Sequence, residues 1–139
     1  MAAPVSKKME DFAAEVYPAV LGTTRKDGSV QVNPVWFEYR DGSFWINGAT
    51  TRGWFKHLKR DPRVTLLLLD PRDMFRWAQV EGRMVKSADD PGGEHINRLS
   101  HRYTGRDYQN SRDGRVWVQI EPTRISGSID GWRLSLIHI

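Results

Sequence analysis

Arg52, Lys56, Lys59 and Arg60 follow two threonines in the stretch 47–64, NGATTRGWFKHLKRDPRV, and their spacing suits an anion site. Thr50 or Thr51 is fitted to cap a helix, because a side-chain oxygen there accepts an orphan N–H of the first turn. With residues 52–60 helical, Arg52, Lys56, Lys59 and Arg60 fall within an arc of about 100°, at 100° per residue. Trp54, Phe55 and Leu58 take the opposite side and turn inward. Asp61-Pro62 ends the segment, since the residue before a proline is held out of helical geometry. Open N–H groups, hydroxyls and a row of cations together make a phosphate cradle. A solvated basic face on an amphipathic helix is the competing reading, and the stretch alone leaves both open.

Elsewhere the chain offers little for catalysis by its own side chains. The histidines at 57, 95, 101 and 138 follow no metal-ligand spacing. No serine sits in a GxSxG context, and there is neither a P-loop nor a GxGxxG. Zero cysteines exclude disulfides, thiol nucleophiles and cysteine-bound metal. Asp89-Asp90 reads as a solvated or helix-capping pair. The six tryptophans are a richer signal. Core packing accounts for most of them, while their number also suits a flat aromatic ligand. Trp36 and Trp77 stand out as ligand-facing, each next to a polar or broken strand position.

The elements that must position these residues are mostly short strands. Residues 6–17 carry Met9, Phe12, Ala13 and Val16 at helical spacing, and Pro18 stops that helix. Strands are expected at 19–24, at 30–39 with Pro34 as an edge, bulge or break, and at 44–47; turns at Asp27-Gly28 and Asp41-Gly42 join them. A break at Pro34 also leaves backbone groups open to a ligand. Val64 to Leu69 reads as a strand buried on both faces. A further strand spans 75–86 with Gly82 inside it, then comes a helix over 94–103 and a tyrosine- and arginine-rich loop to Gly114. A last strand runs over 116–120, breaks at Pro122 and continues from Arg124 towards Trp132. The count is six strands in an antiparallel sheet closed into a small barrel with short flanking helices, a mainly β fold.

At 139 residues, the chain is expected to form one domain over 1–132, with 133–139 a tail of undecided status. No apolar run approaches the roughly 20 residues that span a bilayer, and the N-terminus lacks a secretory apolar region, so a cytoplasmic location is expected and no membrane partner. The net charge of +4 suits nucleic acid and a small, multiply anionic ligand equally, and its spread along the chain favours a folded anion pocket over a disordered basic arm; a small-molecule substrate and no nucleic acid are expected.

Five blocks in order carry a resemblance: VLGTTRKDGSVQVNPVWFEY, NGATTRGWFKHLKRDPRVTLLLLDP, FRWAQVEGRMV, HRYTGRDY and EPTRISG. Across residues 10–132 the chain resembles the split β-barrel flavin and deazaflavin oxidoreductases related to pyridoxamine 5′-phosphate oxidase, in particular the branch that uses coenzyme F420. The resemblance implies a homodimer with two cofactor sites at the subunit interface. It implies F420, with FMN the alternative, since both end a ribityl chain in phosphate. Thr50, Thr51, Arg52 and Lys56 would hold that phosphate, and Asn47 at the start of the same block would also bind the cofactor. Pro34, Val35 and Trp36 would lie along the ring, Arg76 and Trp77 would complete the pocket, and Tyr103 and Tyr108 would stand on the substrate side. The chemistry implied is hydride transfer to or from an unsaturated small molecule, with Tyr103 or Tyr108 a candidate proton donor and no side chain serving as nucleophile. One position departs from the pattern: relatives often carry lysine or arginine where this chain has Trp54. A non-catalytic protein, either a flavin carrier or a nucleic-acid-binding barrel that uses the basic residues, is the remaining reading.

Overall fold

Strand-forming runs separated by glycine turns build nearly everything in this chain. The computed structural model describes residues 5–130; Trp132 and the tail at 133–139 lie outside them. Three helices, α1 (Lys7–Ala13), α2 (Gly53–Arg60) and α3 (Glu94–Thr104), accompany seven strands: β1 (Ala19–Thr24), β2 (Val30–Val35), β3 (Phe37–Arg40), β4 (Ser43–Ala49), β5 (Arg63–Leu69), β6 (Trp77–Asp89) and β7 (Arg115–Ser128). All pair antiparallel in one sheet of order β2-β1-β5-β6-β7-β4-β3.

The seventh strand comes from a division that six strands did not anticipate. The run 30–39 splits at Trp36, so β2 pairs with β1 while β3 pairs with β4 at the far end of the sheet. Consecutive Cα atoms are about 3.8 Å apart, so a one-residue link between the two edge strands forces the sheet to curl until its edges meet. They meet without pairing. The result is a split barrel whose seam is spanned by Trp36, rather than a closed one. Pro34 sits within β2, on an edge strand, where its missing N–H removes no ladder bond from a central position.

Inside the curl lie Leu21, Phe37, Phe44, Ile46, Leu66, Leu68, Val80 and Ile120, each essentially inaccessible. Met9 and Phe12 of α1 and Trp54, Phe55 and Leu58 of α2 join the same core. Other expectations changed in detail. Ser6 caps α1 by accepting from the Met9 N–H at 3.1 Å, and the helix stops at Ala13, four residues short of the expected end at 17. Pro122 does not break β7; it pairs opposite Gly82 at a bulge, where a Cβ on Gly82 would come 2.6 Å from the Glu121 carbonyl oxygen. β5 is buried on one face only, with Thr65, Leu67 and Leu69 half-covered on the other. That outer face continues through Val20, Val30, Val32 and Trp77, which the register places on the same side. Val30 and Val32 are 62% and 63% exposed, so an apolar sheet face stands uncovered here. No helix among the described residues is long and apolar enough to cross a membrane.

Candidate functional site

At the seam the two sheet edges, α2, α3 and the loop before β7 enclose a cleft of about 750 Å³. That volume lies within the usual range of small-molecule sites, about 300–1,000 Å³. The edge of β2 forms one wall with Asn33, Pro34, Val35 and Trp36. The outer edge of β2 has no neighbouring strand, so part of its backbone hydrogen-bonding capacity faces the opening. Trp36 stacks on Tyr103 with ring centroids 5.3 Å apart and meets Tyr108 edge-on at 6.3 Å. Three rings therefore flank the cleft, as a flat aromatic ligand requires.

The floor is Trp54, laid flat against β4. A Cβ at Gly48 would come 2.5 Å from the Trp54 Cη2 atom, so only glycine at that position lets the indole lie there. Helix α2 begins beside it. Arg52, not Thr50 or Thr51, takes the N-cap position, and no side chain caps the helix. The reason is local: the Thr50 N–H donates to the Gly114 carbonyl at 3.0 Å and the Arg52 N–H to the Ala49 carbonyl at 2.9 Å, which closes a turn ahead of the helix. Arg52 lines the cleft, whereas Thr50, Thr51 and Lys56 are exposed outside its lining.

Beneath the aromatic wall runs a buried polar network. Asn47 donates from Nδ2 to Asp90 Oδ2 at 3.1 Å and to His95 Nδ1 at 3.0 Å, and its Oδ1 accepts from Arg115 Nε at 2.9 Å. Arginine only donates and a carboxylate only accepts, so these partners fix the amide's orientation. His95 Nδ1 is then an acceptor, and the opposite ring nitrogen donates to Glu38 Oε2 at 3.0 Å. Asp90 also accepts from the N–H groups of His95 and Ile96, capping α3. Glu38 further accepts from both Nε and Nη2 of Arg98. Burial pushes the Glu38 carboxyl up, but the hydrogen bonds from His95 and Arg98 outweigh it and hold the group at about 2. The folded value lies below the unfolded one, so the stabilisation is complete above pH 4.5 and fades as pH falls from there towards 2. Glu38→Gln is expected to cost about 1.5–3 kcal/mol at neutral pH, with the difference from the parent shrinking across that acid window in urea melts.

A second chain of amides reaches the cleft wall. His57 Nε2 lies 2.9 Å from Gln31 Oε1, and Gln31 Nε2 donates to Asn33 Oδ1 at 2.9 Å. Asn33, whose Oδ1 is thereby engaged, lines the cleft.

Two expected residues lie elsewhere in the chain. Arg76 is paired with Asp70 at 3.2 Å and Glu15 at 3.2 Å, and its guanidinium lies 4.7 Å from the centre of the Phe12 ring. Trp77 opens β6 on the outer sheet face. Neither lines this cleft. Tyr103 does line it, yet its hydroxyl donates to the Tyr17 carbonyl at 2.7 Å and accepts from the Phe37 N–H at 3.2 Å. That proton is committed to the fold, so Tyr103 acts by holding Trp36. Tyr108 is anchored through its backbone N–H to Asn97 Oδ1 at 2.8 Å, with its side chain towards the cleft. Arg115 and Asn33 escaped the sequence reading. Arg115 is one of five arginines between 98 and 115, and nothing in their spacing marks the one that is buried.

The fold agrees with the comparisons. The family model for pyridoxamine 5′-phosphate oxidase matches residues 5–128, and the chain belongs to that family. Among solved structures, an F420 reductase superposes with a TM-score of 0.80 at 27% identity, covering 89% of this chain and 98% of its own. A conserved hypothetical protein of Mycobacterium tuberculosis gives 0.70 at 24% identity over 89% and 84% of the two chains. General Stress Protein 26 of Bacillus anthracis gives 0.66 at 21% over 91% and 94%, and both of these speak for the fold alone. No curated protein matches.

Proposed function

We propose that the protein is an oxidoreductase that moves a hydride between coenzyme F420 and an unsaturated small molecule held against the cofactor ring. The observation that carries this reading is the cleft at the Trp36 seam, with an aromatic wall, an open strand edge and Arg52 at a helix start. The donor set fits a flat, phosphate-bearing ligand. F420 is favoured over FMN because the solved structure at 27% identity is an F420 reductase. A bound deazaflavin would supply the hydride-carrying ring, and the chain's residues would bind and orient it. Pro34, Val35 and Trp36 would flank the ring, and Arg52 with the first-turn N–H groups of α2 would meet the phosphate, with Thr50, Thr51 and Lys56 at its outer margin. Tyr108 would face the substrate. Reduction of an electron-acceptor dye by reduced F420, and not by NADPH with FMN, supports the reading; dye reduction only with FMN replaces it by an FMN enzyme on the same fold.

Homodimerisation belongs to the same proposal. It is supported by the uncovered apolar face of Val20, Val30, Val32 and Leu67, which adjoins the cleft through Pro34. Trp77 and the nearby Arg76 would then serve the partner's site rather than their own. Val32→Glu is expected to convert a dimer to a monomer in light scattering, because a carboxylate there would be desolvated on association. A dimer that survives that change argues against this face. A cytoplasmic location completes the proposal.

A further inference from the structure

We propose that Arg115 is a second anion-binding residue of the cleft, closing on the same phosphate that Arg52 meets at the start of α2. This rests on the phosphate-bearing ligand proposed above.

Arg115 is 8% exposed and lines the cleft. Its Nε is spent on Asn47, while its two Nη groups make no hydrogen bond and no ion pair among the described residues. The other part-buried arginines are treated differently. Arg76 has two carboxylates, and Arg102 donates to the carbonyls of Phe37, Ala13, Ala14 and Glu15. A buried guanidinium with donors left unbonded is costly, and the hydrogen bonds of Arg76 and Arg102 spare both of them that state. Asp90 acts on Arg115 only from behind Asn47, whose amide it holds. Burial lowers the guanidinium's pKa; Tyr108 opposes that lowering and the Arg52 charge adds to it. Two cations that repel across one cleft are both relieved by an anion between them.

The start of α2 supplies the other half independently. This helix has eight residues and no side-chain cap, and the N–H groups of Gly53, Trp54 and Phe55 have no partner among the described residues. Such a terminus is a ready anion site. Asn47 is the positioning residue: held by Asp90 and His95, it fixes which edge of the Arg115 fork faces the cleft, and Glu38 with Arg98 fixes His95 in turn.

The test compares FMN with riboflavin, which differ only by the phosphate, in fluorescence titrations of the intact protein. Arg115→Gln is expected to weaken FMN about 10–100-fold and riboflavin less than about 3-fold, the usual scale for a hydrogen bond to a charged group. Arg115→Lys, which keeps the charge without the fork, is expected to fall between and carries the test should the glutamine variant not fold. Equal losses for both ligands, or no loss for FMN, overturn the proposal. Should neither flavin bind the parent protein, inorganic phosphate in a thermal melt separates the two ideas. A shift in the parent that Arg115→Gln abolishes upholds the anion clamp although the flavin reading has failed, and no shift in the parent overturns the clamp as well.

Discussion

Arg52→Gln is expected to weaken the binding of F420 by about 10–100-fold while leaving the melting temperature of the ligand-free protein nearly unchanged. The two halves follow from one observation. Arg52 lines the cleft but its side chain makes no hydrogen bond or ion pair among the described residues, so folding is expected to lose little when its charge is removed. A ligand phosphate, in contrast, loses a charge-assisted contact at a helix start, where the N–H groups alone cannot replace it. Lys56→Ala is the natural comparison. Lys56 lies a turn further along α2, outside the cleft lining, and its removal should cost no more than a few-fold. A loss for Lys56→Ala equal to that for Arg52→Gln would move the phosphate out of the cleft.

Gly48→Val is expected to damage both stability and binding. Even the Cβ would lie 2.5 Å from the Trp54 ring, with β4 backbone on one side and a buried indole on the other. Overpacking of that kind costs about 1–3 kcal/mol, or roughly 5–10 °C in melting temperature for a chain of this size. The indole must tilt, and it tilts into the cleft, so cofactor affinity should fall with stability. Trp54→Leu in the same background should recover part of the melting temperature, since a smaller side chain makes room for the new methyl groups. This coupling separates a local clash from a general intolerance of β4 to substitution. It also gives Trp54 a physical role: the ring floors the cleft, and in the proposed site Arg52 and Arg115 would supply the charge.

What the sequence made legible follows from which signals are local. Strand periods, the Asp-Gly turns and the two-sided pattern of α2 are short-range, and they located nearly every element. Trp54, Phe55 and Leu58 are buried as their spacing requires. The seam was not legible. Whether 30–39 is one strand or two depends on which distant strands pair with each half; Pro34, read as an edge, bulge or break, sits on an edge strand, and the corner falls two residues later at Trp36. The helix cap was misplaced for a similar reason. Thr50 is a good cap by type, yet Gly114, more than sixty positions away, binds its N–H, and the cap falls two positions later at Arg52. Arg115 illustrates the same limit in the site itself. Its burial comes from sitting at the start of β7 opposite Ala49, beside Asn47, and no local pattern separates it from Arg112 or Arg106. Tyr103 was found, but its role changed once the Tyr17 carbonyl appeared as the acceptor of its proton.

The central claim is that a phosphate-bearing deazaflavin occupies the cleft at the Trp36 seam. It is tested most directly by equilibrium fluorescence titration of F420 into the parent protein and into Arg52→Gln, with FMN titrated in parallel. The account predicts saturable binding of one F420 per chain, a weaker FMN complex, and an F420 affinity reduced about 10–100-fold in the variant. Absence of F420 binding, or an affinity indifferent to Arg52, would contradict it.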